Sequence, residues 1–102
     1  MITYNKLVRD LIPEIIQQDG KTPYFHNASG LELEAALKQK LDEEVREFQE
    51  SNNPKELADI LEVIYTIASF YGIKPDELES MRKQKADERG SFFKSIILEK
   101  VE

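Results

Sequence analysis

The stretches "KLDEEVREF" (40–48) and "PKELADILEV" (54–63) decide how this chain reads, because each sets carboxylates beside the apolar face of a helix. An α-helix turns about 100° per residue, so the positions can be laid out on a wheel. On the first helix Leu33, Leu37, Leu41, Val45 and Phe48 share one stripe. Glu44 falls about 40° from its centre, Glu47 lies at its edge one turn along, and Glu43 and Glu50 are directed toward water. On the second helix Leu57, Ile60, Leu61, Ile64, Ala68 and Tyr71 form one stripe, and Val63, Thr66 and Phe70 form another on the far side. Glu56 and Asp59 are three residues apart, hence neighbours on one face, at the beginning of that second stripe.

Glu44, Glu47, Glu56 and Asp59 are thereby expected at comparable height near the connection of two helices. A single Glu-x-x-Glu pair is ordinary on a solvated helix; two acidic pairs on adjacent helices, each bordering apolar residues, are not. Four carboxylates packed together repel strongly in a poorly solvated site. A hard, oxygen-seeking divalent cation removes the conflict. The expected counter-charge is therefore Mg²⁺, with Mn²⁺ as its substitute, rather than a lysine.

The rest of the chain fits a small helical protein. Its 102 residues suit one domain, 1–102, with 40% hydrophobic and 33% charged residues. Cysteine is absent, which excludes disulfides, thiolate–zinc sites and cysteine nucleophiles. The start "MITYNKLVRD" has no apolar signal core, and no run approaches the roughly 18 apolar residues of a membrane span, so a cytosolic protein without a membrane partner is expected. The net charge of −6 argues against a general nucleic-acid binder but not against nucleotides, whose phosphates can be held through a metal. Between Glu32 and Glu62 lie ten carboxylates against four Lys or Arg, while "KLVRD" and "MRKQKADERGSFFK" carry much of the base. Such a chain can gather metal at its centre and phosphate with its ends.

Turn and cap residues divide it into a mainly α bundle of four to five helices. "NKLVRDLIPEIIQQDG" closes at Gly20, with Pro13 marking a bend or the true start of a short helix. Ser29 and Glu32 have the S-x-x-E form of a capping box for a helix reaching about Glu50. Asn53 is the expected N-cap of the next helix, with Pro54 first inside it, running to Tyr71–Gly72. A further helix spans Pro75 to about Glu88 and ends at Gly90. The β-leaning segments 21–28 and 91–101 are expected to pair as a small two-stranded ribbon.

At the acidic residues the sequence resembles the all-α nucleoside triphosphate pyrophosphohydrolase superfamily, which includes MazG-like proteins, dimeric dUTPases and phosphoribosyl-ATP pyrophosphohydrolase. The pattern E-E-x-x-E followed by E-x-x-D stands here as Glu43-Glu44-Val45-Arg46-Glu47 and Glu56-Leu57-Ala58-Asp59. The gap between the halves is shorter than in many MazG proteins. "YNKLVRDLIPEII" and "RGSFFKSIILE" resemble the flanks of a compact subgroup labelled phosphoribosyl-ATP pyrophosphohydrolase-like, so the similar stretches cover most of the chain. The resemblance implies Mg²⁺-dependent hydrolysis of a nucleoside triphosphate to the monophosphate and pyrophosphate, in the clearance of non-standard nucleotides. It implies Glu44, Glu47, Glu56 and Asp59 as metal ligands, Glu44 and Glu47 as catalytic, and Glu43 as a secondary acid. Phosphoribosyl-ATP hydrolysis in histidine biosynthesis and a non-catalytic helical interaction protein are the alternatives.

Lys6 and Arg9, three apart, can reach one phosphate chain, and Lys85, Arg89 and Lys94 flank Gly90, where a tight turn can aim them at a ligand. Each can equally pair with a neighbouring charge. His26, a lone histidine in a loop, reads as a surface residue. The helix apolar on two sides implies self-association, as a homodimer or a dimer of dimers, with the second stripe buried at the contact.

Overall fold

The computed structural model describes residues 2–102. Four helices follow in order: α1 (Ile12–Gln18), α2 (Gly30–Ser51), α3 (Lys55–Phe70) and α4 (Pro75–Arg89). The α2–α3 hairpin is the body of the molecule, and α4 packs back on α3; α1 makes no comparable helix–helix contact. Among the described residues, no helix is long and apolar enough to cross a membrane.

The hairpin is tight because its punctuation is local. Asn52 leaves α2 in the left-handed region, φ 55°, and its N–H donates to the Phe48 carbonyl at 2.8 Å. The Asn53 side-chain oxygen then accepts the Lys55 N–H at 3.0 Å, and Pro54 spends no donor at the helix start. Asn53 thus does the capping work read from the sequence. Ser29 stands at the N-cap of α2, but no side-chain bond closes the expected capping box. Glu32 instead takes the His26 ring nitrogen at 2.8 Å, which gives that histidine a surface partner. Two helices end in the same way. The Ile73 N–H reaches back to the Ala68 carbonyl and the Lys21 N–H to that of Ile16, with Gly72 and Gly20 at φ 78° and 80° supplying the left-handed residue such closures need.

Pro13 lies in the first turn of a short helix, and residues 2–9 form an arm without helical structure. No strand is present among the described residues. Segments 21–28 and 91–102 are irregular and mostly exposed, with Tyr24, Phe92 and Phe93 near full exposure. A two-stranded ribbon with nothing packed on its face is marginal in water, and neither segment has such a layer within this chain.

The apolar stripe of α2 is where the wheel placed it: Leu37 is 2% exposed, and Leu33, Leu41, Val45 and Phe48 are half-buried. On α3 both stripes contribute to the interior. From the stripe expected at a subunit contact, Val63 is buried and Phe70 lines a hollow with Leu37 of α2, while Thr66 is exposed; from the other stripe, Ala68 is buried and Ile60 half-buried. Leu57, Leu61, Ile64 and Tyr65 are exposed. Glu56 and Asp59 begin the Val63–Phe70 stripe, so its turn toward α2 carries them to the acids of that helix.

The buried apolar residues are Leu37, Val63 and Ala68. The radius of gyration is 17.9 Å, against about 13 Å for a compact chain of 100 residues. The principal extents of 61 × 31 × 24 Å give an elongated shape.

Candidate metal centre

The site is built on one turn of α2 and the first turns of α3. Glu47 and Glu56 lie equally far from the midpoint of the connection, and so do Glu44 and Asp59, so antiparallel helices of equal rise bring each pair level. Glu44, Glu56 and Asp59 each offer a carboxylate oxygen within 4.8 Å of the others. Glu43, Glu44 and Glu47 form a second such group, so Glu44 belongs to both. The four expected ligands thus fall into two groups that share Glu44, with Glu47 in one and Glu56 and Asp59 in the other.

Burial divides them. Glu44 is 7% exposed, Glu56 and Asp59 are half-buried, and Glu47 is exposed rather than tucked against the stripe edge. One oxygen of Glu44, Oε2, is buried without any hydrogen-bond partner. A buried carboxylate oxygen left bare is costly, and it is the feature of this cluster that most needs a ligand.

Protein cations supply part of the counter-charge, which corrects the expectation that metal alone would. Lys40, with a side chain only 15% exposed, sets its Nζ 3.3 Å from Glu43 and 3.3 Å from Glu44 Oε1. From the N-terminal arm, Lys6 donates to Glu43 Oε1 at 2.9 Å and Arg9 to Asp59 Oδ1 at 2.5 Å. Glu43 is therefore half-buried and not turned to water, because two lysines draw it in. With Oε1 held by Lys6 and Oε2 by Lys40, it has little left for an ion despite its place in the second group. Lys40 escaped notice, although its i+3 and i+4 spacing to Glu43 and Glu44 was the available signal.

The titration behaviour follows the same geometry. Lys6 beside it holds the Glu43 carboxyl below its ordinary range, with Lys40 adding to this, and Glu43 in turn raises Lys6. The charge of Glu44 raises Glu47. Glu56 is raised by partial burial first, then by the Asp59 carboxyl within hydrogen-bonding reach and by the charge of Glu47. Two carboxyls resisting ionisation mark a cluster still short of positive charge.

The donor set suits a hard cation. Oxygens on a single Mg²⁺ are at most about 4.2 Å apart, so rotamer adjustments bring Glu44, Glu56 and Asp59 into reach of one ion. The side chains of Lys85, Arg89 and Lys94 make no hydrogen bond or ion pair among the described residues. Gly90 does turn there, at φ 86°. The arm that carries Lys6 and Arg9 lies against the cluster through their contacts with Glu43 and Asp59.

A stretch of 44 residues, 43% of the chain, is 52% identical to an uncharacterised protein of Mycolicibacterium smegmatis, and the match covers 45% of that protein. The chain thus spans less than half of that relative. No protein-family model and no solved structure matches.

Proposed function

We propose that this chain is a Mg²⁺-dependent nucleoside triphosphate pyrophosphohydrolase of the MazG-like kind, acting on NTPs or dNTPs and clearing non-standard nucleotides. The observation that carries the reading is the convergence of Glu44, Glu56 and Asp59 around the bare, buried Oε2 of Glu44. The E-E-x-x-E and E-x-x-D pattern supports it from the sequence side. A divalent ion bound there would bridge phosphate oxygens, offset the charge that develops on them and acidify a bound water.

The chain's own residues account for the rest. Glu44, Glu56 and Asp59 hold the ion. Glu47, exposed and raised by the charge of Glu44, stands beside them to orient the attacking water and take its proton. Water oxygen bonds to phosphorus, the bridging P–O bond breaks, and pyrophosphate and the monophosphate separate. Attack at the α or the β phosphorus gives the same pair. Lys6 and Arg9 are the cations nearest to the departing charge.

A second copy of the chain completes the enzyme in this reading. Leu57, Leu61, Ile64 and Tyr65 leave an apolar strip on α3 open to water, and Phe92, Phe93, Ile96 and Ile97 do the same on the C-terminal arm. Exposed apolar surface of that extent marks a protein contact. Closed homo-oligomers, a dimer or a dimer of dimers, would cover it and bring Lys85, Arg89 or Lys94 to a neighbour's site.

One observation favours the alternative of a non-catalytic helical scaffold: Lys40, Lys6 and Arg9 already neutralise part of the cluster. Two measurements separate the readings. A nucleotide panel with Mg²⁺, assayed for pyrophosphate release in the wild type, Glu44→Gln and Asp59→Asn, is expected to show turnover that both variants lose. Titrating Mg²⁺ or Mn²⁺ against thermal unfolding is expected to raise the wild-type midpoint. Turnover of no nucleotide, or full activity in both variants, sinks the catalytic reading.

A further inference from the structure

We infer that the N-terminal arm is a counter-ion strap: Lys6 and Arg9 occupy the acidic site while it is empty and move to phosphate oxygens when polyphosphate arrives, so the site takes metal and polyphosphate together. The inference rests on the metal reading above and adds the coupling of the two ligands. It starts from position. Arg9 lies fifty residues from Asp59 in sequence, and Lys6 thirty-seven from Glu43, yet both pairs close to hydrogen-bond distance. Asp59 is one of the three carboxylates that meet at the bare Glu44 oxygen. A guanidinium on Asp59 and a divalent ion on the same carboxylate bring like charges within a few ångströms, where they repel. Free metal must therefore weaken or displace the Arg9 contact to bind.

The arm is built to let go. Of residues 2–9 only Leu7 is half-buried, and Ile2, Tyr4 and Val8 are exposed. Its hold on the hairpin is mainly the two ion pairs, whose side chains are 43% exposed at Lys6 and 59% at Arg9. Exposed pairs of this kind contribute little each and exchange readily for another anion. A polyphosphate riding on the metal offers that anion, and Arg binds phosphate through its planar fork as well as it binds carboxylate. The released cations then sit on the ligand instead of opposing it. Because linkage is reciprocal, whatever factor polyphosphate adds to metal affinity, metal adds to polyphosphate affinity.

The test uses the 102-residue chain, Mn²⁺ as the metal and diimidotriphosphate, with both bridging oxygens replaced by NH, as a polyphosphate that resists hydrolysis. Mn²⁺ alone is titrated by the loss of its free spin-resonance signal; the Mn²⁺–diimidotriphosphate complex is titrated by calorimetry. In Lys6→Ala/Arg9→Ala, affinity for Mn²⁺ alone is expected to rise about tenfold and affinity for the complex to fall about tenfold, so the coupling shrinks from both sides. Arg9→Lys, which keeps the charge, is expected to fall between. Binding abolished by Glu44→Gln but indifferent to the double variant overturns the strap and leaves the metal site standing, as does a double variant that weakens both ligands alike. Failure of the wild type and every variant to bind Mn²⁺ in either form overturns both.

Discussion

Lys40 stands 3.3 Å from one oxygen of Glu44, while the other oxygen of the same carboxylate is buried and bare. The lysine satisfies half of an acid that the fold has taken out of water. Replacing it with methionine leaves Glu44 without its nearest cation in a mostly desolvated place. Lys40→Met is expected to destabilise the metal-free protein by about 1–3 kcal/mol, below the full cost of breaking a wholly buried pair because some solvent remains. Its stabilisation by Mg²⁺ should exceed that of the wild type. Urea unfolding with and without Mg²⁺ measures both.

Glu43 and Glu56 look alike in sequence and differ in what their oxygens already do. Glu43 is held on both sides by lysines, whereas Glu56 joins the group around Glu44. Glu56→Gln is expected to cut pyrophosphate release roughly 100-fold, as loss of a metal ligand should. Glu43→Gln is expected to cost less than about tenfold, in the range of an outer-shell change. Steady-state rates at saturating Mg²⁺ compare them, and equal losses would contradict the assignment.

The raised carboxyls set a pH dependence. In the folded chain Glu47 and Glu56 keep protons that the unfolded chain has released above its ordinary value of 4.5. Their contribution to stability therefore falls as pH rises from 4.5 through their folded values. Glu43 and Glu79 are lowered by Lys6 and Arg82, so what they contribute is present above 4.5 and lost as pH falls below it. In EDTA, stability is expected to decline from mildly acidic pH toward neutrality. Saturating Mg²⁺, which favours the ionised carboxylates, should flatten or reverse that slope. Urea midpoints across pH 4–8 in the two conditions check it.

Leu37 and Leu61 separate folding from assembly. Leu37 is 2% exposed and Leu61 46%. Leu37→Ala is expected to cost about 2–5 kcal/mol of folding stability through the cavity it leaves. Leu61→Glu should leave helicity intact and lower the mass measured by light scattering at micromolar concentration. A wild type that is already monomeric there removes the proposed contact.

The elements were legible where a single residue type sets the backbone. Asn53 with Pro54, Gly20, Gly72 and Gly90 all mark ends where the sequence put them, and the three-residue spacing of Glu44/Glu47 and Glu56/Asp59 brought the acids together. What the sequence left dark is non-local. The reach of Lys6 and Arg9 across the chain leaves no periodic trace, and a wheel cannot say that two lysines turn Glu43 inward. Nor can it say that both stripes of α3 reach the interior in part, Val63 from one and Ala68 from the other. The β-leaning arms carried strand propensity without a surface to pair against, and propensity alone does not make a sheet.

The equal spacing of Glu44 and Asp59 about the α2–α3 connection makes that short loop a ruler. One residue added between Asn52 and Pro54 would separate the Asn52 N–H that closes α2 from the Asn53 side chain that caps α3, and with them the register that sets each acid opposite its neighbour. Variation in this part of the chain should thus be confined to exchanges that preserve its length, such as glycine for Asn52, even though it is exposed and touches no ligand.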